Sequence, residues 1–236
     1  MPFILSILAG LSTLIGYMFI KLKNKENRVL IISLGFASGV MFYISLFDLI
    51  PEGIFLLKAN YILCIISISI GLFIALLLDI IFPNNTSSLY HVGIVSMIAI
   101  IIHNIPEGIA TYLTASTNIK LGITLAIAIA LHNIPEGITI SIPIYYSTKS
   151  KVKAFIYTFT SGISELLGAV IASIFLTDLN SKSFMGILYS IIAGIMLYIS
   201  LHELLPESLK YKKSRLTYIS FILGIIIIYI SIKIIN

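Results

Sequence analysis

An all-α protein threaded eight times through a membrane is what this chain of 236 residues predicts. Three observations carry that reading. Hydrophobic side chains make up 58% of the chain and charged ones only 11%, with a mean hydropathy of +1.08; soluble domains run near 25% charged. Apolar stretches long enough to cross a bilayer, which takes about 20 residues, recur eight times. The cations gather in the short gaps between them, so the net charge of +5 fits a membrane surface rather than nucleic acid. Cys64 is the only cysteine, which excludes a disulfide framework and a thiolate metal cluster.

Taken in order, the spans are expected at 2–20, 29–57, 61–82, 92–114, 120–146, 152–176, 184–209 and 216–235. The first lacks a charged leading region and is followed by a Lys-rich gap instead of a cleavage site, so it reads as a retained helix. The connections are short, so residues 1–236 read as a single transmembrane domain. Lys21, Lys23, Lys25 and Arg28 follow span 1, Lys149, Lys151 and Lys153 flank the gap after span 5, and Lys210, Lys212, Lys213 and Arg215 follow span 7. The other side receives Lys58, Lys120, Lys182 and Lys233. Cations favour the cytoplasm, so both termini are expected to be extracytoplasmic, in a multi-pass protein of the cell membrane.

The acids are the informative residues. Of ten, only Glu26 and Asp178 fall in gaps. Asp48, Glu52, Asp79, Glu107, Glu136, Glu165, Glu203 and Glu207 lie within apolar spans, as do His103, His132 and His202. A charge at mid-bilayer costs roughly 2.5–3.5 kcal/mol. Eight unpartnered acids would therefore cost well over ~15 kcal/mol, more than a fold can spare. Lys and Arg lie almost wholly outside the spans, which leaves protonation, water or a bound cation as compensation.

Two internal repeats narrow the choice. His103-Asn104-Ile105-Pro106-Glu107-Gly108-Ile109 recurs unchanged as His132-Asn133-Ile134-Pro135-Glu136-Gly137-Ile138. On a helix, His and Glu at i and i+4 share a face. The Pro frees a carbonyl one turn earlier and bends the helix, and the Gly permits close helix approach. Each copy thus offers imidazole, amide oxygen and carboxylate. Packing alone gives no reason to place His and Glu twice at one spacing, although a lone intramembrane His is readily explained by an interhelical hydrogen bond.

The second repeat matches residues 41–52, ending Asp48-Leu49-Ile50-Pro51-Glu52, to residues 196–207, ending Glu203-Leu204-Leu205-Pro206-Glu207. The copies lie five spans apart and so run in opposite directions. Inverted repeats with Pro-broken helices are a transporter signature, with the substrate near the midplane. The predicted organisation is 3+2+3, with Pro-kinked helices 2, 4, 5 and 7. His103, His132 and Glu165 fall at mid-span, Asp48 and Glu52 toward the outside, and Glu203 and Glu207 toward the inside. Acids strung in that order describe a cation path.

The paired His-Asn-x-Pro-Glu-Gly motifs, Ser161-Gly162-Ile163-Ser164-Glu165 and His202-Glu203-x-x-Pro206-Glu207 together resemble the ZIP (Zrt/Irt-like) family of metal transporters, nearest its bacterial ZupT/GufA-like branch. The resemblance covers essentially the whole chain. It implies eight helices and import of zinc, iron(II), manganese and related divalent metals through a midplane site for up to two ions. By position it implies His103, Glu107, His132, Glu136 and Asp48 as ligands of one metal. Asn104, Glu107, Asn133, Glu136 and Glu165 would hold the second, both shared Glu residues bridging. His202, Glu203 and Glu207 resemble the release route, with Glu52 at the entrance. Many members carry a His-rich loop between spans 3 and 4; here residues 83–91 hold only His91, so metal delivery by that loop is not expected.

Imidazole, carboxylate and amide oxygen suit zinc, iron(II), manganese, cobalt and cadmium, whereas copper(I) would call for thiolates. The partners expected are divalent metal ions as cargo, the bilayer, and a second copy of the chain as a homodimer, with no resident cofactor. An intramembrane zinc-dependent hydrolase is the alternative, but His-Glu-x-x-His is broken by Pro206. Asp79 reads as interfacial, His91 as a loop residue, and Cys64 as lipid-facing or core.

Overall fold

The structure, a computed structural model, describes residues 1–21, 27–81, 88–175 and 182–235. Lys23, Lys25, Glu26, Pro83 and Asp178, which entered the charge and loop arguments, lie outside the described residues. Eight helices are long and apolar enough to cross a membrane: α1 (Pro2–Lys21), α2 (Arg28–Leu56), α3 (Tyr61–Ile81), α4 (Leu89–Thr117), α5 (Ile119–Thr148), α6 (Lys151–Phe175), α7 (Lys182–Leu209) and α8 (Ser214–Ile234). The protein is an all-α polytopic membrane protein. The largest departures from the expected boundaries are at the two ends of α4, each three residues further out, and the earlier start takes in His91.

The helices form two bundles. In the first, α4 packs on α5 and α6, and α1 packs on α4, α5 and α6; in the second, α2 packs on α8 and α7, and α3 on α7. Contacts of α2 and α8 with α5, and of α7 with α4, join the bundles. In a solvent as apolar as the side chains, helices associate through close packing of small residues. An added Cβ at Gly39 would meet the Phe221 carbonyl, and one at Gly224 the Phe36 carbonyl, so α2 and α8 touch backbone to backbone. Gly71 and Gly194 do the same for α3 and α7, against the Ile191 and Ile68 carbonyls.

These two contacts are images of each other under the inverted repeat. Gly39 and Gly194 each stand six residues before the Ser of the repeat, Ser45 and Ser200. Helices α2 and α7 also share a wide turn. Ser45–Leu49 and Ile199–Leu204 are π-helical and lie just ahead of Pro51 and Pro206. Such turns concentrate at functional positions, and here they carry Asp48 and Glu203. By contrast α4 and α5 stay α-helical through Pro106 and Pro135. The four proline sites therefore divide into two kinds.

Where α2 crosses α7, Ser38 Oγ donates to the Ser200 carbonyl and Ser200 Oγ to the Ser38 carbonyl, both at 2.8 Å. A double-mutant cycle of Ser38→Ala and Ser200→Ala, read by thermal unfolding in detergent, should give a coupling near ~0.6 kcal/mol and no more than ~1.7. Strict additivity would show that the pair contributes nothing.

Candidate metal centre

The twin heptapeptides face each other between α4 and α5. His132 Nε2 lies 2.9 Å from Glu107 Oε1, and His103 Nε2 lies 3.2 Å from the same oxygen and 3.0 Å from Glu136 Oε1. The two imidazole rings are 6.2 Å apart. His103, Glu107 and His132 form a group whose ligand atoms are close enough to share one ion. The His132–Glu107 contact is a formed hydrogen bond. Those of His103 are short but misdirected, and its ring nitrogens have no hydrogen-bond partner among the described residues.

The glycine of each copy holds its helix in place. A Cβ on Gly108 would strike the Glu165 carbonyl of α6, and one on Gly137 the Thr13 carbonyl of α1. In return Gly168 of α6 abuts the Ile105 carbonyl. The first bundle is thereby drawn tight around the heptapeptides.

The asparagines are turned so that their oxygens are left over. Asn104 Nδ2 donates to the Ser161 carbonyl at 3.0 Å. Asn133 Nδ2 donates to the Ala9 carbonyl at 3.0 Å and to Glu165 Oε2 at 3.1 Å. A carbonyl can only accept, so these contacts fix which amide atom is nitrogen. Glu107 Oε2, both oxygens of Glu136, Glu165 Oε1 and both asparagine Oδ1 atoms lack a hydrogen-bond partner among the described residues. All five side chains are buried, none more than 5% exposed. Buried acceptors left unpaired cost free energy, and so many within the two heptapeptides and on Glu165 beside Asn133 suit a positively charged guest.

A cavity of about 520 Å³ leads to this group. It is lined by Asp48 and Glu52 of α2, Glu107 and Thr114 of α4, His132 of α5 and Tyr189 of α7, and so lies between the bundles. Its walls come from the ends of α2, α4 and α8 and the start of α5, the same end of the molecule as both termini. Asp48 and Glu52 are exposed there. Toward the other end the bundles meet in apolar packing that includes Val92, Ala99, Ile138, Ile142, Ile195 and Met196. The buried group is therefore approached from one side.

At that other end the structure assembles a second cluster. Asp79, His202 and Glu203 bring ligand atoms within 4.8 Å of one another. Asp79 also receives a 2.9 Å hydrogen bond from the Tyr198 hydroxyl and lies 2.6 Å from His91 Nε2. His91 is helical and only 5% exposed, not a loop residue. Asp79, read from sequence as interfacial, organises this cluster. Glu207, grouped by sequence with His202 and Glu203, is buried and bonded to Lys210 Nζ at 2.6 Å. Cys64 is core, 3.4 Å from Ser190 Oγ. Asp79→Asn should cost about 1 kcal/mol through the loss of a half-buried charge-assisted acceptor. Thermal unfolding in detergent measures it, and an unchanged midpoint would show that the cluster is not structural.

The family model described as ZIP Zinc transporter matches residues 84–231, across α4 to α8. The chain belongs to the ZIP family. Among curated ZIP relatives it is 37% identical to the zinc transporter ZupT of Clostridium perfringens, over 98% of this chain and 94% of the relative. It is 38% identical to ZupT of Chlorobaculum parvum and 37% identical to ZupT of Streptococcus mutans, each over 97% of this chain and 95% of the relative. The ZIP match includes both heptapeptides, Glu165 and the His202–Glu207 segment, but the α1 and α2 residues that orient Asn133 and line the cavity lie outside it. Neither the Ala9 carbonyl nor the Ser161 carbonyl leaves a mark in sequence, since any residue could supply it.

Proposed function

We propose that this ZIP protein imports zinc, and with it iron(II), manganese, cobalt and cadmium, into the cytoplasm through the buried group between α4, α5 and α6. The carrying observation is the set of short contacts of Glu107 and Glu136 with two buried imidazoles, beside further unpaired buried oxygens on the same helices, at a cavity open at one end and lined by Glu107 and His132. One ion is held by His103, Glu107, His132 and Glu136, with Asp48 approaching from α2. A second is held by Asn104, Asn133 and Glu165, with Glu107 and Glu136 bridging. Mixed nitrogen and oxygen ligands bind transition dications yet release them more readily than a closed thiolate cage.

With both termini extracytoplasmic, metal enters past Asp48 and Glu52. It leaves past His202 and Glu203, with Asp79 on the way, once the apolar packing beyond the site parts. Glu207 borders that exit in its pair with Lys210. The ZupT relatives, described as zinc transporters, speak for transport over intramembrane hydrolysis. The test is uptake of radioactive zinc into proteoliposomes of the intact chain. Zinc should accumulate above protein-free vesicles, reduced by an excess of iron(II), manganese, cobalt or cadmium and untouched by magnesium, which dehydrates reluctantly and seeks all-oxygen sites. No uptake above protein-free vesicles would overturn the reading.

A further inference from the structure

Away from the metal path, a second concavity of about 440 Å³ opens on the outer surface where the bundles meet. Val29, Ile32, Phe36 and Val40 of α2 form one wall, and Ile134 and Ile138 of α5 the other. Ile227 and Ser231 of α8 close its far end and Phe19 of α1 its near end. The lining is almost wholly aliphatic and aromatic. Water there would find few partners, so the natural occupant is hydrocarbon.

Its shape points to one extended chain. From Val29 to Val40 the groove follows α2 for about 16 Å at 1.5 Å per residue. It starts at the end of α2 next to the α1–α2 connection, passes Leu131 of α5, and continues along α8 to Ser231, three residues before that helix ends. A straight slot of that extent fits one acyl chain entering from one side.

Its head end is cationic. Lys21, two residues past Phe19, and Arg28, beside Val29, are both exposed at that mouth. Basic pockets between membrane helices suit phosphate head groups. An apolar slot with cations at one end matches a phospholipid, tail in the slot and phosphate at Lys21 and Arg28.

We propose that this groove is a specific site for an anionic phospholipid, seated between α2 and α8 of one bundle and α5 of the other. The lipid's tail rests on Ile134 and Pro135, on the back of the heptapeptide that carries His132 and Glu136. It bridges the two bundles, and the site stands whatever the cargo is.

Native mass spectrometry of the intact chain, released from micelles holding equal amounts of dioleoylphosphatidylglycerol and dioleoylphosphatidylcholine, tests this. The glycerol lipid should be retained in preference to the choline lipid. Lys21→Gln and Arg28→Gln should each lower its retention about five-fold, the equivalent of ~1 kcal/mol per cation. Ile227→Trp, on the exposed rim, should block the slot and remove bound lipid of both kinds. Thermal unfolding identifies a misfolded slot variant, in which case the two head-end variants decide alone. Equal retention of the two lipids, or retention unchanged by Lys21→Gln and Arg28→Gln, overturns the proposal.

Discussion

Glu107→Gln should lower the initial rate of zinc uptake into proteoliposomes by about 100-fold or more, and Glu136→Gln by nearer 10-fold, bracketing what lesser changes around a metal cost. Both substitutions keep the side chain's size and remove its charge. The difference follows from geometry: Glu107 Oε1 lies within 3.2 Å of both imidazoles and its residue lines the cavity, whereas Glu136 reaches His103 alone and sits deeper. On the proposed route an incoming dication would meet Glu107 first, and neutralising it would remove the one carboxylate common to both histidines. Uptake at the unmodified rate in Glu107→Gln would remove this group from the pathway.

The second large effect is on folding. Gly108→Ala places a methyl group into the Glu165 carbonyl, which belongs to helix backbone and cannot swing aside. Overpacking of this kind costs about 1–3 kcal/mol, and a clash with helix backbone belongs at the upper end. Gly186→Ala is the control. There the new methyl meets Leu57 Cγ at 2.9 Å, Leu56 Cβ at 3.0 Å and the Gly53 carbonyl at 3.1 Å, crowding that shifts of a few tenths of an ångström relieve, in place of an overlap with backbone. Thermal unfolding of the two variants in one detergent should place Gly108→Ala well below Gly186→Ala. The reverse order would mean that α4 and α6 are not held by this contact.

How far the chain announces this arrangement differs from residue to residue. The eight spans are plain because a bilayer imposes a length and a polarity that few other environments do. The heptapeptides are plain because they are duplicated. His91 misleads: it follows Tyr90 just beyond the polar residues 83–88, where a gap is the natural reading. Its burial comes from Asp79 at the end of the preceding helix, a tertiary contact that no local pattern encodes. The bond of Glu207 to Lys210 could have been anticipated, since i and i+3 on a helix are neighbours, had Lys210 been placed on the helix face and not in the following gap. The wide turns of α2 and α7 leave only an indirect trace. Pro51 and Pro206 remove a backbone donor each, yet so do Pro106 and Pro135, where the α-helix continues unbroken. What separates the cases is the packing against neighbouring helices, which the sequence of one helix does not contain.

The helices also differ in length in a way that bears on the entrance. Those lining the cavity are α2, α4, α5 and α7, of 28–30 residues, together with the end of α8; α1, α3 and α8 themselves have 20–21. At 1.5 Å per residue the long set reaches about 45 Å, half as long again as the ~30 Å of hydrocarbon. The shorter rods match the slab that lipid tails fill, and the longer ones outrun it. Asp48 and Glu52, in the last third of α2, would thereby be carried toward the headgroup layer, where their charge costs little and, on the proposed route, would draw dications out of solution.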